Sequence, residues 1–307
     1  MTHPIGVLIM GTFFTTWIFS SLCTILAIPL WLLLGVSLPV KLLVAYFTLR
    51  LFGRAPSVPS LHRFLALCIE KYPYFASQQL VFESPRALPM RSSATLLAVF
   101  PHGVTCVGWS VNLNLSSRLQ EAGIVYLAAD FLMKVPIISD ALFMFSSDSA
   151  SKESLIRHMK RRENLALLPG GFDEAAILRK GRFDVFLNDR KGFIKYALQY
   201  GYAVSPVYSF GDELAYNVVE GFIKERKWLA KQQVPGVLFW SKWLWLPDPS
   251  VSVVTVVGDP VQFVAVENPT PDEVDKAHAQ FVKALQALFD KYKGQYAADP
   301  DAKLVIH

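Results

Sequence analysis

The sequence predicts an α/β fold: a mostly parallel sheet flanked by helices, behind an N-terminal hydrophobic membrane hairpin. Three observations predict it. An uncharged apolar run fills residues 4–40, β-rich apolar runs alternate with helix-patterned stretches from residue 94 onward, and proline and glycine turns follow two of those β-rich runs. The chain has 307 residues, is 52% hydrophobic and only 18% charged, and has a mean hydropathy of +0.33. Such a chain has ample apolar surface to bury, which excludes disorder. Its charged fraction lies well below the ~25% of an ordinary soluble domain.

The N-terminal run comes first. From Pro4 to Val40 no side chain is charged. A spanning helix needs ~20 apolar residues, so the run is long for one span and short for two. With Pro29 read as its break, two short helices forming a hairpin fit best; a single tilted, kinked span is the alternative. A signal peptide fits poorly, because a basic leader is missing and the run far exceeds ~7–15 residues. The first charges after the run are Lys41, Arg50 and Arg54, all basic, which places the body on the cytoplasmic side. Residues 41–52 read as an interfacial continuation. Gly53 to Pro59 reads as a linker. The expected division is therefore a membrane hairpin and interfacial segment over 1–55 and a cytoplasmic-side domain over 56–307.

In the body, strands are expected at 94–100, 124–129, 164–168, 203–210 and 251–257. Helices are expected near 108–121, 150–162 and 190–200. Thr270-Pro271-Asp272-Glu273 is a capping box with proline at the first helical position, and Val274, Ala277, Phe281, Leu285 and Leu288 recur at helical spacing. Gly294 is the expected stop, and His278 beside the apolar face reads as structural. Trp228, Trp240, Trp243 and Trp245 crowd one segment, which fits either a wedge at the membrane interface or core filling.

The net charge of +5 suits an anionic membrane or anionic ligand and falls short of a nucleic-acid-binding stripe. Cys23, Cys68 and Cys106 stand far apart, against a disulfide framework or zinc site and for a reducing compartment. The GxSxG, GxxxxGK[ST], GxGxxG and HExxH signatures are absent, which removes the common serine hydrolases, P-loop enzymes, Rossmann dehydrogenases and zincins.

Three constellations remain. In FPHGV (Phe100–Val104) a strand ends at a proline, and His102 follows beside Gly103. A histidine at the carboxyl end of a strand in an α/β sheet sits where ligand chemistry occurs and accepts a proton at neutral pH. A structural turn histidine fits the same residues. In LPGGFDEA (Leu168–Ala175), Gly170 and Gly171 free backbone N–H groups, while Asp173 and Glu174 open a helix. Third, five basic residues fall between 179 and 191, suited either to the phosphates of a nucleotide-like cofactor such as coenzyme A or to lipid headgroups.

Together these blocks resemble the type-2 diacylglycerol acyltransferase family, which includes monoacylglycerol acyltransferases and wax-ester synthases. The resemblance runs over roughly residues 95–295 and is strongest in RKGFIKYALQYGYAVSPVYSFGDE (Arg190–Glu213). FPHG is similar to the family's His-Pro-His-Gly motif, PGGFDEA to its Gly-Gly-x-x-Glu-Ala block, and VVGDPVQF with ENPTPDEVDKAHAQF to its closing strand and helix. The family's first motif histidine is Phe100 here, which leaves His102 as the essential one. Related glycerol-phosphate acyltransferases carry an aspartate five residues after the histidine, where this chain has Val107. The family pattern then makes Glu174 the partner of His102, with Asp173 next in line.

The resemblance implies a glycerolipid-acyltransferase-like fold and an acyl-CoA-dependent O-acyltransferase that converts diacylglycerol to triacylglycerol. His102 is the general base, and Glu174 holds its imidazole. Substrate-binding roles fall to Pro101, Gly103, Gly170, Gly171, Arg190, Lys191, Gly192 and Phe193, with Arg190 and Lys191 on the coenzyme A phosphates. Metal and permanently bound cofactor are not expected; acyl-CoA is a co-substrate. The implied partners are acyl-CoA, a diacylglycerol or related lipid acceptor and the bilayer, with no nucleic acid and with homo-oligomers left open. The implied location is the endoplasmic reticulum membrane, body facing the cytosol, with lipid droplets as a second station. The rival readings are a monoacylglycerol acyltransferase, a wax-ester synthase, and a non-catalytic lipid-binding membrane protein.

Overall fold

The computed structural model describes residues 2–50, 52–53, 55–234 and 236–307. Arg54 of the basic flank and Leu51 of the expected interfacial segment lie outside the described residues.

A seven-stranded sheet organises the body. Its strands are β1 (Ser77–Phe82), β2 (Thr95–Phe100), β3 (Ile124–Ala128), β4 (Ser147–Ser149), β5 (Asn164–Leu167), β6 (Ala203–Phe210) and β7 (Ser252–Val257). Across the sheet they lie in the order β1-β7-β6-β2-β5-β3-β4, antiparallel at β7–β6 and parallel elsewhere. The five expected strands are all present within a residue or so of their expected ends. β1 and β4 escaped the sequence reading: both lie at sheet edges, and β1 is only partly buried, so its SQQLVF pattern is weakly apolar.

The central strand β2 shows why the apolar runs are continuous rather than alternating. Leu96, Ala98 and Phe100 pack into one core, and Leu97 and Val99 pack into the other. A parallel sheet covered on both faces needs apolar side chains at every position.

The helices are α1 (Pro4–Leu34), α2 (Leu38–Arg50), α3 (Pro59–Lys71), α4 (Ser117–Glu121), α5 (Ile138–Met144), α6 (Lys152–Lys160), α7 (Gly171–Ile177), α8 (Gly192–Tyr200), α9 (Ile223–Lys231) and α10 (Pro271–Tyr296). The helix expected over 108–121 is divided into a π-helical turn, Gly108–Asn114, and the short α4. The capping box of α10 forms as expected, with Thr270 Oγ1 accepting from Glu273 N at 3.3 Å and Glu273 Oε2 accepting from Thr270 N at 2.8 Å. The helix does not stop at Gly294 but runs on to Tyr296: that glycine has an ordinary helical backbone, and the left-handed turn that would make it a stop is absent. His278 is buried, with Nε2 3.0 Å from the Leu187 carbonyl oxygen, a structural role.

The N-terminal run departs from two helices broken at Pro29. Pro29 lies inside α1, and the helix instead bends by 42° between Ser20 and Leu22. Among the described residues no single helix is long and apolar enough to cross a membrane; the bent pair Pro4–Ser20 and Leu22–Leu34 passes that test together, by length and composition. The two halves of α1 differ in surroundings. Met10 and Phe14 are buried in a core shared with Ile69, Tyr74, Val111 and Val253 of the body. Leu22, Ile25, Ile28, Trp31, Leu32 and Leu33 are exposed. α2 docks on α5, where Arg50 Nη1 lies 2.5 Å from Asp140 Oδ1 and Tyr46 and Ser139 share a 3.1 Å hydroxyl contact.

The tryptophans do not fill the core. Trp228, Trp240 and Trp243 are exposed, and Trp245 lies against α1, donating from Nε1 to Thr15 Oγ1 at 3.0 Å and meeting Phe19 edge-on.

Candidate active site

β2 delivers its last residue, Phe100, into the core, and the chain then turns through a cis Phe100–Pro101 peptide bond. Phe100 is fully buried, its ring beside Phe281 of α10. The side chain at the family's first motif position therefore faces the core and is not part of the cavity wall. His102, two residues on, lines a cavity of 520 Å³ together with Leu168 and Gly171 from the end of β5 and the start of α7, Arg190 just before α8, and Phe193 on α8.

The turn is closed by a glycine whose place leaves no room for a Cβ. Gly103 has φ +61°, and a Cβ there would meet Asp212 Oδ1 at 2.3 Å. The imidazole Nδ1 of His102 lies 2.9 Å from the Gly103 carbonyl oxygen. A carbonyl only accepts, so Nδ1 carries the hydrogen and Nε2 keeps its lone pair. Burial pushes the imidazole pKa below its ordinary 6.5 against the pull of that hydrogen bond, so the ring is neutral at physiological pH. Cys106 Sγ stands 3.7 Å from both ring nitrogens. Burial, with Asp212 and Glu174 nearby, drives the Cys106 thiol well above its ordinary range, so it is a protonated neighbour and not a thiolate.

Glu174 is placed beside His102, but not on its ring. Its Oε1 accepts from the His102 main-chain N–H, and its Oε2 accepts from Phe186 N at 2.8 Å. Among the described residues no carboxylate lies within hydrogen-bond distance of the imidazole. The expectation that Glu174 holds the imidazole is thus corrected: the side chain grips the backbone of the turn, and the neighbouring carbonyl orients the ring. The reason is length and burial. Glu174 is on the first turn of α7, 3% exposed, with Gly170 pressed on it so closely that a Cβ there would meet Glu174 Oε2 at 2.1 Å. Burial raises the Glu174 carboxyl to about 8, although both N–H donors and Arg190 pull it down.

Asp173, the alternative partner, is ion-paired with Arg190 and does not reach His102. Arg190 lies over the Phe186 ring and lines the cavity. Lys191 is not in the cavity wall; its Nζ is 2.8 Å from Asp275 Oδ1. Arg179 and Arg182 flank buried Asp184 at 3.3 and 3.8 Å, so that part of the basic stretch is structural. Lys152, at the start of α6, joins Arg190 as a cation of the wall. Gly192 and Phe193 line the cavity as well, whereas Pro101, Gly103, Gly170 and Glu174 stand outside its wall and shape the turns.

Asp212 was missed by the sequence reading. It is the central residue of the Gly211-Asp212-Glu213 run after β6, is 3% exposed, and accepts from Gly108 N at 2.9 Å through Oδ2, while Oδ1 has no partner among the described residues. Burial raises its carboxyl to about 7. It supports the turn near Val107, where the related pattern has its aspartate. The signal available was an acid directly after a strand-ending glycine in the most strongly patterned block.

A model described as diacylglycerol acyltransferase matches residues 86–307 of the chain. Diacylglycerol O-acyltransferase 2 of Dictyostelium discoideum is 30% identical over 230 residues, covering 69% of this chain and 70% of that protein. Acyl-CoA wax alcohol acyltransferase 2 of Mus musculus is 29% identical over 69% of each chain, and 2-acylglycerol O-acyltransferase 1 of Bos taurus is 28% identical over 67% of each. A family match over most of the body, with the motif histidine set in the wall of a cavity, makes this chain a member of the type-2 diacylglycerol acyltransferase family.

Proposed function

We propose that the chain transfers the acyl group of acyl-CoA to the free hydroxyl of diacylglycerol, making triacylglycerol, with His102 as general base. The observation that carries this reading is the 2.9 Å contact of His102 Nδ1 with the Gly103 carbonyl oxygen, which leaves the Nε2 lone pair for a proton, in a cavity that also holds Arg190 and Lys152. Nε2 takes the proton of the acceptor hydroxyl as its oxygen attacks the thioester carbonyl carbon, a contribution of ~10²–10⁴-fold. The tetrahedral intermediate collapses by breaking the C–S bond, and the departing coenzyme A sulfur takes the proton back from Nε2. Gly171, in the same wall, offers a main-chain N–H to the oxyanion. Arg190, and Lys152 rather than Lys191, meet the coenzyme A phosphates.

The exposed half of α1, α2 and the exposed tryptophans beside Trp245 form the membrane-facing surface, and Lys41 and Arg50 favour the cytoplasmic side. An endoplasmic reticulum membrane or lipid droplet fits a water-insoluble acceptor and product.

Purified protein supplied with labelled acyl-CoA and, separately, diacylglycerol, monoacylglycerol and a long-chain alcohol tests the reading. Labelled triacylglycerol is expected to dominate. Dominance of another ester moves the acceptor, in line with the names of the relatives, and consumption of no acyl-CoA with any acceptor overturns the enzyme reading.

A further inference from the structure

A second cavity of 350 Å³ lies between the body-packed half of α1 and the body, and its wall includes Phe13, Leu115, Ile138, Leu142 and Phe145. Its volume lies within the ~300–1,000 Å³ of small-molecule sites. Two residues, Trp17 and Trp109, line this cavity and the His102 cavity alike. The two cavities therefore share this pair of side chains as a common stretch of wall. Their chemistry is segregated. The His102 cavity has Lys152, Asp189 and Arg190 in its wall. Among the described residues the second cavity has no charged side chain; its polar groups are uncharged ones such as Thr12, Thr16 and Asn114. Leu8, also in its wall, is 70% exposed, so the wall reaches the exposed apolar surface of α1. Trp109 carries a buried indole N–H with no acceptor among the described residues, a cost that a lipid ester oxygen would relieve.

We infer that this second cavity binds a hydrocarbon chain of the neutral glycerolipid acceptor, which enters beside α1 and passes Trp17 and Trp109 to bring its hydroxyl to His102, while the charged acyl-CoA occupies the Arg190 side. The inference rests on the acyltransferase reading and deepens it. Separate entry follows from the walls: an uncharged chain gains free energy in proportion to the apolar area it buries, whereas coenzyme A phosphates need the cations that only the other cavity supplies.

The test fills the cavity from two sides. Ala141 and Thr16 both line it and are only partly buried, so enlargement at either is accommodated without displacing a core side chain. In full-length protein, Ala141→Trp and Thr16→Phe are each expected to raise KM for dioleoylglycerol about tenfold, with KM for acyl-CoA and saturated kcat within about twofold. KM for dioctanoylglycerol, whose chains are short, is expected to change by less than about threefold. An equal rise for both acceptors, no rise for either, or a rise in KM for acyl-CoA that grows with donor chain length overturns the assignment. Photolabelling with a diazirine-bearing diacylglycerol needs no turnover. Adducts on Phe13, Leu142 or Phe145 that dioleoylglycerol suppresses and acyl-CoA does not are expected. Adducts elsewhere, or suppression by acyl-CoA, overturn the site. If the unsubstituted protein transfers nothing, the acyltransferase reading fails, and the labelling pattern still decides what the cavity holds.

Discussion

The Nδ1 of His102 and the carbonyl oxygen of Gly103, 2.9 Å apart, join consecutive residues, so the group that orients the imidazole is the main chain of its own turn. In many catalytic histidines a carboxylate does this. Here the acidic side chain, Glu174, acts one bond further back, on the His102 N–H. Orientation of the ring thus depends on the shape of the turn.

If Nε2 is the base, His102→Ala lowers kcat/KM by at least ~10²-fold and leaves membrane association unchanged. Because burial pulls the ring below 6.5, protonation removes the base only in more acid solution. The acid limb of the kcat/KM profile should therefore have its midpoint below 6.5. A limb above that value contradicts the lowered imidazole.

Gly103→Ala and Gly171→Ala separate the strained turn from an open one. Both glycines have positive φ, +61° and +52°, but only at Gly103 does a Cβ meet a neighbour, Asp212. Gly103→Ala should abolish measurable transfer and lower the melting temperature, whereas Gly171→Ala should cost about 1 kcal/mol of stability. Equal losses in a thermal melt would show that the Asp212 contact is irrelevant.

Glu174 and Asp212 should respond differently to amide substitution. Both Glu174 oxygens accept N–H groups, so Glu174→Gln sets an NH₂ against one donor and should cost ~1–3 kcal/mol and most of the activity. Asp212 uses only Oδ2, and Asp212→Asn keeps that acceptor. Chemical denaturation of the two variants distinguishes them.

Burial raises the carboxyls of Glu174, Asp212 and Glu213 to about 8, 7 and 7 from ordinary values of 4.5, 3.8 and 4.5. A raised carboxyl favours folding while protonated, so this contribution is complete below the ordinary values and lost as pH rises through 7 to 8. The melting temperature should fall between pH 6.5 and 8.5, and Asp212→Asn should flatten that slope. Below about pH 6, His62, His102 and His278, all lowered by burial, act in the opposite direction. A flat profile across the alkaline window would contradict the buried acids.

Cys106 is beside the imidazole, yet its thiol is held protonated. Cys106→Ala should retain transfer within about threefold, because no step passes through the Cys106 sulfur. An acyl thioester trapped on Cys106 with labelled acyl-CoA, and lost in Cys106→Ala together with turnover, would replace direct transfer by a covalent route.

Much of this architecture was legible in the chain. Where both faces of a strand are buried, as in β2, every residue is apolar and the run is unmistakable; where a strand lies at an edge, as in β1 and β4, burial no longer dictates composition and the signal fades. The PHG and PGGFDEA turns announced themselves because glycine and proline carry backbone requirements that are local. Which atom of Glu174 meets which atom of His102 is not local: it depends on how closely Gly170 lets the α7 turn approach the end of β2. The same holds for Asp212, brought to the Gly103 turn from 109 positions away by the pairing of β2 with β6. Sequence by itself determined the class of fold, the motif histidine and the apolar N-terminus, since each follows from hydropathy, period or turn chemistry. Tertiary structure alone decided that a carbonyl orients the imidazole, that Arg190 and Lys152 share the cavity while Lys191 does not, and that two tryptophans line both it and an apolar cavity, because those depend on distances between segments that no local pattern encodes.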